Sequence, residues 1–160
     1  MLLNAAQMGR VLGTMRPYTE VVCLVHGPRS IGVARSDPYL SCAMAVGEVM
    51  SDELPAALSE LRIGALVLAE PLRDRPTPSD SITSRQQRLL QAILRAGRSE
   101  PCVAWDRTLS LQCAISRQRE NEQWSDVGEL STKSSFGVHA AVALQDLLDE
   151  HMDGWRNTFG

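Results

Sequence analysis

Lysine is almost missing from this 160-residue chain: Lys133 stands alone, and arginine supplies the rest of the sixteen basic residues. Arginine is the better bidentate partner for phosphate and carboxylate, so such a surface fits an RNA or protein interface. GC-rich codon usage, which also favours alanine, is the plainer reading, because charge composition speaks to solubility and partners more than to fold. A net charge of −3 and a pI near 5.6 exclude binding of nucleic acid by bulk charge. Any such contact has to be local.

Cysteine pairing is also absent. Cys23, Cys42, Cys102 and Cys113 form no C-x-x-C unit and the three histidines are scattered, which indicates neither a zinc site nor a disulfide framework. Cys23 and Cys102 lie in apolar runs, as core fillers of a reducing compartment do. No run approaches the roughly 20 apolar residues of a membrane span, so the sequence reads as soluble, with no membrane partner. The first nineteen residues hold Arg10 and Arg16 but no acid, and Leu3, Met8, Val11, Leu12 and Met15 recur at helical spacing. That profile fits a mitochondrial targeting segment and equally an amphipathic helix packed on the domain; both readings stand for residues 1–18.

What is present is enough apolar sequence, 44%, to bury one core without metals or disulfides. The run E-V-V-C-L-V-H (20–26), the turn G-P-R-S and the run S-I-G-V-A-R read as a β-hairpin. A third strand is expected around 39–46. A short helix follows it, capped by Ser51 or Asp52, with Pro55 in its first turn. The continuous apolar run from Ile63 to Glu70 reads as a strand buried on both faces. After a Pro- and Ser-rich loop (71–81), Ile82, Leu89, Leu90, Ile93 and Leu94 form one helical stripe ending at Gly97. A strand P-C-V-A-W-D, a helix over 109–119, a polar loop over 120–135 and a helix over 137–152 complete the order. Hairpin strands followed by alternating strands and helices predict a mixed sheet with helices on both faces. The compact domain is expected over 19–152, with a tail over 153–160.

Four stretches, in order, resemble a known family. They are L-V-H-G-P-R-S-I-G-V-A-R-S-D-P (24–38), L-V-L-A-E-P-L (66–72), W-D-R-T-L-S-L-Q-C-A (105–114) and A-A-V-A-L-Q-D-L-L-D (140–149). Together they are similar to the opening hairpin, central strand end, D-E-R segment and terminal helix of the RuvX/YqgF nuclease family. The resemblance implies a ribonuclease H-like α/β fold: a mixed five-stranded sheet of order 3-2-1-4-5 with helices on both faces, plus the N-terminal helix. It also implies a nuclease of the Holliday-junction-resolvase or pre-ribosomal-RNA-processing kind, using carboxylates to hold divalent metal ions. Such chemistry needs hard oxygen ligands converging at strand ends.

The departures fall on those ligands. The family's first-strand aspartate aligns with Val25, the glutamate of D-E-R with Arg107, and the aspartate opening the last helix with Phe136 or Gly137. Asp106 is the relic. Glu70 with Asp106, and Asp37 as a candidate third member, is the route by which a carboxylate site would be rebuilt: as ends of adjacent parallel strands, Glu70 and Asp106 would lie about 5 Å apart. Against that, strand-end acids also cap helices or pair with arginines such as Arg73. His26 alternates away from Val25, and it and His139 read as structural histidines. Arg29, Arg35, Arg73 and Arg107, with Arg75, are the candidate RNA contacts, set against a reading as solvated surface arginines. Trp124 and Trp155 are candidate partner anchors.

The resulting expectation is a catalytically inactive RuvX/YqgF-like protein without a cofactor. It would serve as a structural or RNA-contacting subunit of a larger assembly, with a mitochondrial ribosome or its assembly machinery as the concrete case and a cytoplasmic location as the alternative. Its partners would be protein subunits and ribosomal RNA. The competing expectation is an active metal-dependent nuclease acting on structured RNA or branched DNA through Glu70 and Asp106.

Overall fold

The computed structural model describes residues 2–3, 5–27, 29–69, 84–105 and 136–159. Their order is β1 (Leu2–Leu3), α1 (Ala5–Thr14), β2 (Glu20–His26), β3 (Ile31–Ser36), β4 (Ala43–Val49), α2 (Leu54–Ser59), β5 (Ile63–Ala69), α3 (Ser84–Arg95), β6 (Cys102–Trp105) and α4 (Phe136–Phe159). The strands form one sheet in the order β1-β6-β5-β2-β3-β4. β2, β3 and β4 are antiparallel neighbours, whereas β5 pairs parallel with β2 and β6 parallel with β5. This is the expected five-strand order, extended by the two residues of β1, which run parallel to β6 with Leu2 opposite Cys102. The sixth strand was not legible because two residues carry no periodicity.

Alternation along the central strands sorts side chains by size. Val21, Cys23 and Val25 of β2 and Ala65, Val67 and Ala69 of β5 face α1 and α4, together with Met8, Ala140, Ala143, Leu144, Leu147 and Leu148. Val22, Leu24, Leu66 and Leu68 face α2 and α3, against Leu54, Leu58, Leu89 and Ile93. Small residues on one face let α4 approach closely, and leucines on the other fill the wider gap under two shorter helices.

Several boundaries differ from expectation. The third strand starts at Ala43 because Asp37 folds the preceding residues into a turn: its carboxylate accepts bonds from the Ser41 amide (2.7 Å), the Ser41 hydroxyl (2.6 Å) and the Cys42 amide (3.0 Å). α2 is preceded by Glu53 in helical conformation with no side-chain cap bond, so neither Ser51 nor Asp52 caps it. Leu89 and Ile93 of α3 are buried, but Leu94 is 57% exposed and leaves the stripe. Gly97 does end that helix, at φ +75°, with Gly97 N–H bonded to the Leu94 carbonyl and Arg98 N–H to that of Ile93, a Schellman closure. α4 begins at Phe136 and continues to Phe159, beyond the expected end at Met152 and through most of the expected tail. The loop over 71–81, the helix over 109–119 and the loop over 120–135 lie outside the described residues.

Candidate functional site at the carboxyl edge of the parallel strands

One row of paired residues crosses the sheet where the parallel strands end: Glu48 opposite Gly32, Gly32 opposite Val25, Val25 opposite Ala69, and Ala69 opposite Trp105. Val25 is fully buried in the cluster beneath α4, as are Ala69 and Trp105 at 1% exposure. The expectation that the strands preceding Glu70 and Asp106 are parallel neighbours is met by the Ala69–Trp105 pair. Glu70, Asp106, Arg73, Arg75, Arg107 and Trp124 lie outside the described residues, as does the side chain of Trp155.

The start of α4 closes over this row. A methyl group on Gly27 would lie 2.5 Å from the Phe136 ring, and one on Gly32 would fall on the Phe136 carbonyl. One on Gly137 would sit 2.8 Å from the Gly47 carbonyl oxygen. Only residues without a Cβ permit so close a backbone approach. The helix amino terminus is held by Glu48, whose Oε1 accepts the Phe136 amide at 2.6 Å while Oε2 accepts the Ser30 hydroxyl at 2.9 Å. A carboxylate there complements the positive end of the helix dipole. Further along, the Gln145 side chain accepts the Ala43 amide (2.9 Å) and donates to the Ser41 carbonyl (3.3 Å) and Asp149 (2.9 Å), fastening α4 to the edge strand β4.

His139 lies on the first turns of α4, half-buried and edge-on to the Phe136 ring at 5.4 Å. Burial pushes its imidazole below the ordinary histidine range, against an upward pull from the Glu48 carboxylate. His26 is half-buried at the end of β2, one residue past Val25. Burial also pushes the Cys23 thiol far up, so it is an inert core group, as expected, and raises that of Cys102. Trp105 packs against His151 at 5.8 Å between ring centres.

The described residues at this edge do not fit a divalent cation. Mg²⁺ requires oxygen ligands, and Val25, Ala69, Trp105 and the Phe136 ring offer apolar surface. Among the described residues, no group of three His, Cys, Asp or Glu side chains is placed to hold a metal. Asp37 lies at the far end of β3 and is consumed by its turn. Arg29 is exposed at the hairpin tip and Arg35 is half-buried near the other end of β3, opposite Val22, so these two do not share a patch. A cleft of about 500 Å³ lined by Val11, Met15, Arg16, Ile63, Glu100 and Pro101 lies at the opposite, amino ends of β5 and β6. Sequence reasoning missed Glu48 and Gln145. The one charged residue of an otherwise apolar strand, A-M-A-V-G-E-V, was the available signal for Glu48.

No protein-family model matches the chain, and no curated protein matches it. Among solved structures it is similar to the yeast mitochondrial Holliday junction resolvase, at TM-score 0.50 and 9% identity over 96% of this chain and 88% of that one. It is also similar to RuvC of T. thermophilus in complex with a Holliday junction substrate, at TM-score 0.47 and 14% identity over 86% of this chain and 96% of that one. The order of the sheet, the opening hairpin and the helices on both faces are those of a ribonuclease H-like domain, the fold of the Holliday junction resolvases.

Proposed function

We propose that this chain is a repurposed, catalytically inactive relative of the RuvX/YqgF nucleases that serves as an RNA-contacting structural subunit of a larger assembly. The observation that carries this reading is the apolar row Val25–Ala69–Trp105 capped by Phe136, packed where a nuclease of this fold needs converging carboxylates. An aspartate at Val25 would be enclosed by the α4 cluster, with Phe136 packed over the neighbouring Gly27 and Gly32. A mitochondrial ribosome or its assembly machinery is the assembly proposed, on the arginine-bearing, acid-free N-terminal sequence and the ribosomal association of the family it resembles. Co-migration with a ribonucleoprotein on a density gradient tests this; a free monomer in extracts under all salt conditions overturns it.

A second reading has one observation in its favour. Ala69 and Trp105 are register partners on parallel strands, and Glu70 and Asp106 are the residues that follow them. This predicts a nuclease with a rebuilt two-carboxylate site. Cleavage of structured RNA or a four-way DNA junction with Mg²⁺ or Mn²⁺, abolished by Glu70→Gln with Asp106→Asn, would establish it and displace the first reading.

A further inference from the structure

The chain is acidic overall, but its charge is unevenly spread. Residues 81–99 contain Arg85, Arg88, Arg95 and Arg98 and not one Asp or Glu. Most of that stretch is α3, whose inner face is firmly anchored. Leu89 and Ile93 are buried, and the Gln86 side chain, 2% exposed, donates to the Leu68 carbonyl at 2.9 Å. Arg98 is consumed structurally, donating to the Leu58 carbonyl at 2.6 Å and pairing with Glu100 at 3.3 Å.

The outer face is different. Arg88, Gln91 and Arg95 are all exposed and stand at i, i+3 and i+7, which places them on one stripe. Neither arginine has an ion pair among the described residues. Glu53 and Glu60, which flank α2 in the same layer, make none with them. The stripe therefore presents two cationic, donor-only guanidinium forks with an amide between them that can also donate. At 1.5 Å rise per residue it is about 10 Å long, an axial length over which one strand of a duplex carries about three phosphates, one per ~3.4 Å of axis.

We propose that the Arg88–Gln91–Arg95 stripe of α3 docks the phosphate backbone of a nucleic acid. This deepens the RNA-contacting reading above and rests on it, but moves the contact from the carboxyl edge of the sheet to the helical layer on the opposite face from α4. Free guanidinium groups bind phosphates bidentately, and a cationic stripe on a rigid helix fixes position without reading sequence. The local charge explains how an acidic protein would engage nucleic acid without a bulk basic surface.

The test is fluorescence anisotropy of the full chain against a hairpin RNA and, separately, a four-way DNA junction, titrated with salt. Wild type is expected to bind, and Arg88→Gln with Arg95→Gln to weaken binding and flatten the slope of log affinity against log salt by about 1.8, two contacts at ~0.9 each. Arg88→Lys with Arg95→Lys should keep the slope, and Arg10→Gln with Arg62→Gln, exposed arginines elsewhere, should leave it unchanged. Wild-type binding with an unaltered slope in the α3 double variant overturns the proposal and leaves the RNA-contacting reading standing on Arg29 and Arg35. Binding of the DNA junction alone supports the stripe and overturns the RNA reading. No binding to either ligand, or α3-dependent binding only to phosphatidylserine vesicles, overturns both.

Discussion

The Glu48 carboxylate of the edge strand accepts the Phe136 amide at 2.6 Å, joining residues 88 positions apart and seating the terminal helix on the sheet. The bond is charge-assisted and caps a long helix from outside its own segment. Glu48→Ala is expected to destabilise the protein by about 1 kcal/mol, with Glu48→Gln intermediate because an amide oxygen still accepts. Urea denaturation checks this, and a destabilisation as large for Gln as for Ala would show that charge rather than capping geometry matters.

Gly32 carries the tightest contact under α4. Gly32→Ala is expected to cost about 3 kcal/mol, the upper end of overpacking penalties, because the added methyl meets Phe136 backbone rather than a side chain that can turn away. The same change at Gly13, which has nothing near its Cβ direction, should be neutral or stabilising, since alanine is the better helix former. Paired thermal melts distinguish the two positions.

Val25→Asp restores the residue type that the RuvX/YqgF resemblance expects, yet it should not restore catalysis. A carboxylate in that buried cluster is uncompensated, and a loss of about 3–5 kcal/mol is expected. A stable, metal-binding Val25→Asp protein, seen as a melting temperature raised by Mg²⁺ and lowered by EDTA, would contradict the reading that the packing at this edge does not fit a divalent cation.

Acid should loosen the molecule by two routes. The His139 imidazole is depressed by burial, so its contribution to stability is present above the unfolded value of about 6.5 and is lost as pH falls through the lower folded value. For Asp37, partial burial raises the carboxyl, but bonds from the Ser41 hydroxyl and the Cys42 and Ser41 amides outweigh it, so the net shift is downward. That contribution is present above the unfolded value near 4 and lost below it. Stability measured by denaturant midpoint should therefore fall from pH 7 to 5, and a His139→Gln variant should lose that first step while keeping the one at lower pH.

The legible part of the fold was the part written in periodicity. Val21–Val25 and Ile63–Ala69 announce buried strands, and the helical spacing of Leu89 and Ile93 with Gly97 announces α3 and its end. Register is not written that way. The row joining Glu48, Gly32, Val25, Ala69 and Trp105 depends on a bulge between Val33 and Ala34 and on strands far apart in sequence. The same holds for the cluster over Gly27 and Gly32: glycine in a strand marks a close approach, but nothing local says that Phe136 is what approaches. Leu94 departs from the expected stripe because a helical stripe wider than the groove it fills leaves one member in water.

The fastening of β4 to α4 also sets a timetable. Ala43 and Gln145 are 102 residues apart, so during synthesis the β2–β3–β4 meander emerges while the helix that covers its glycine-lined face has yet to be made. At about 5–20 residues per second, that face stays bare for about 5–20 s. The nascent chain therefore passes through an interval of open apolar surface that a folding assistant, or the destination assembly itself, would have to cover.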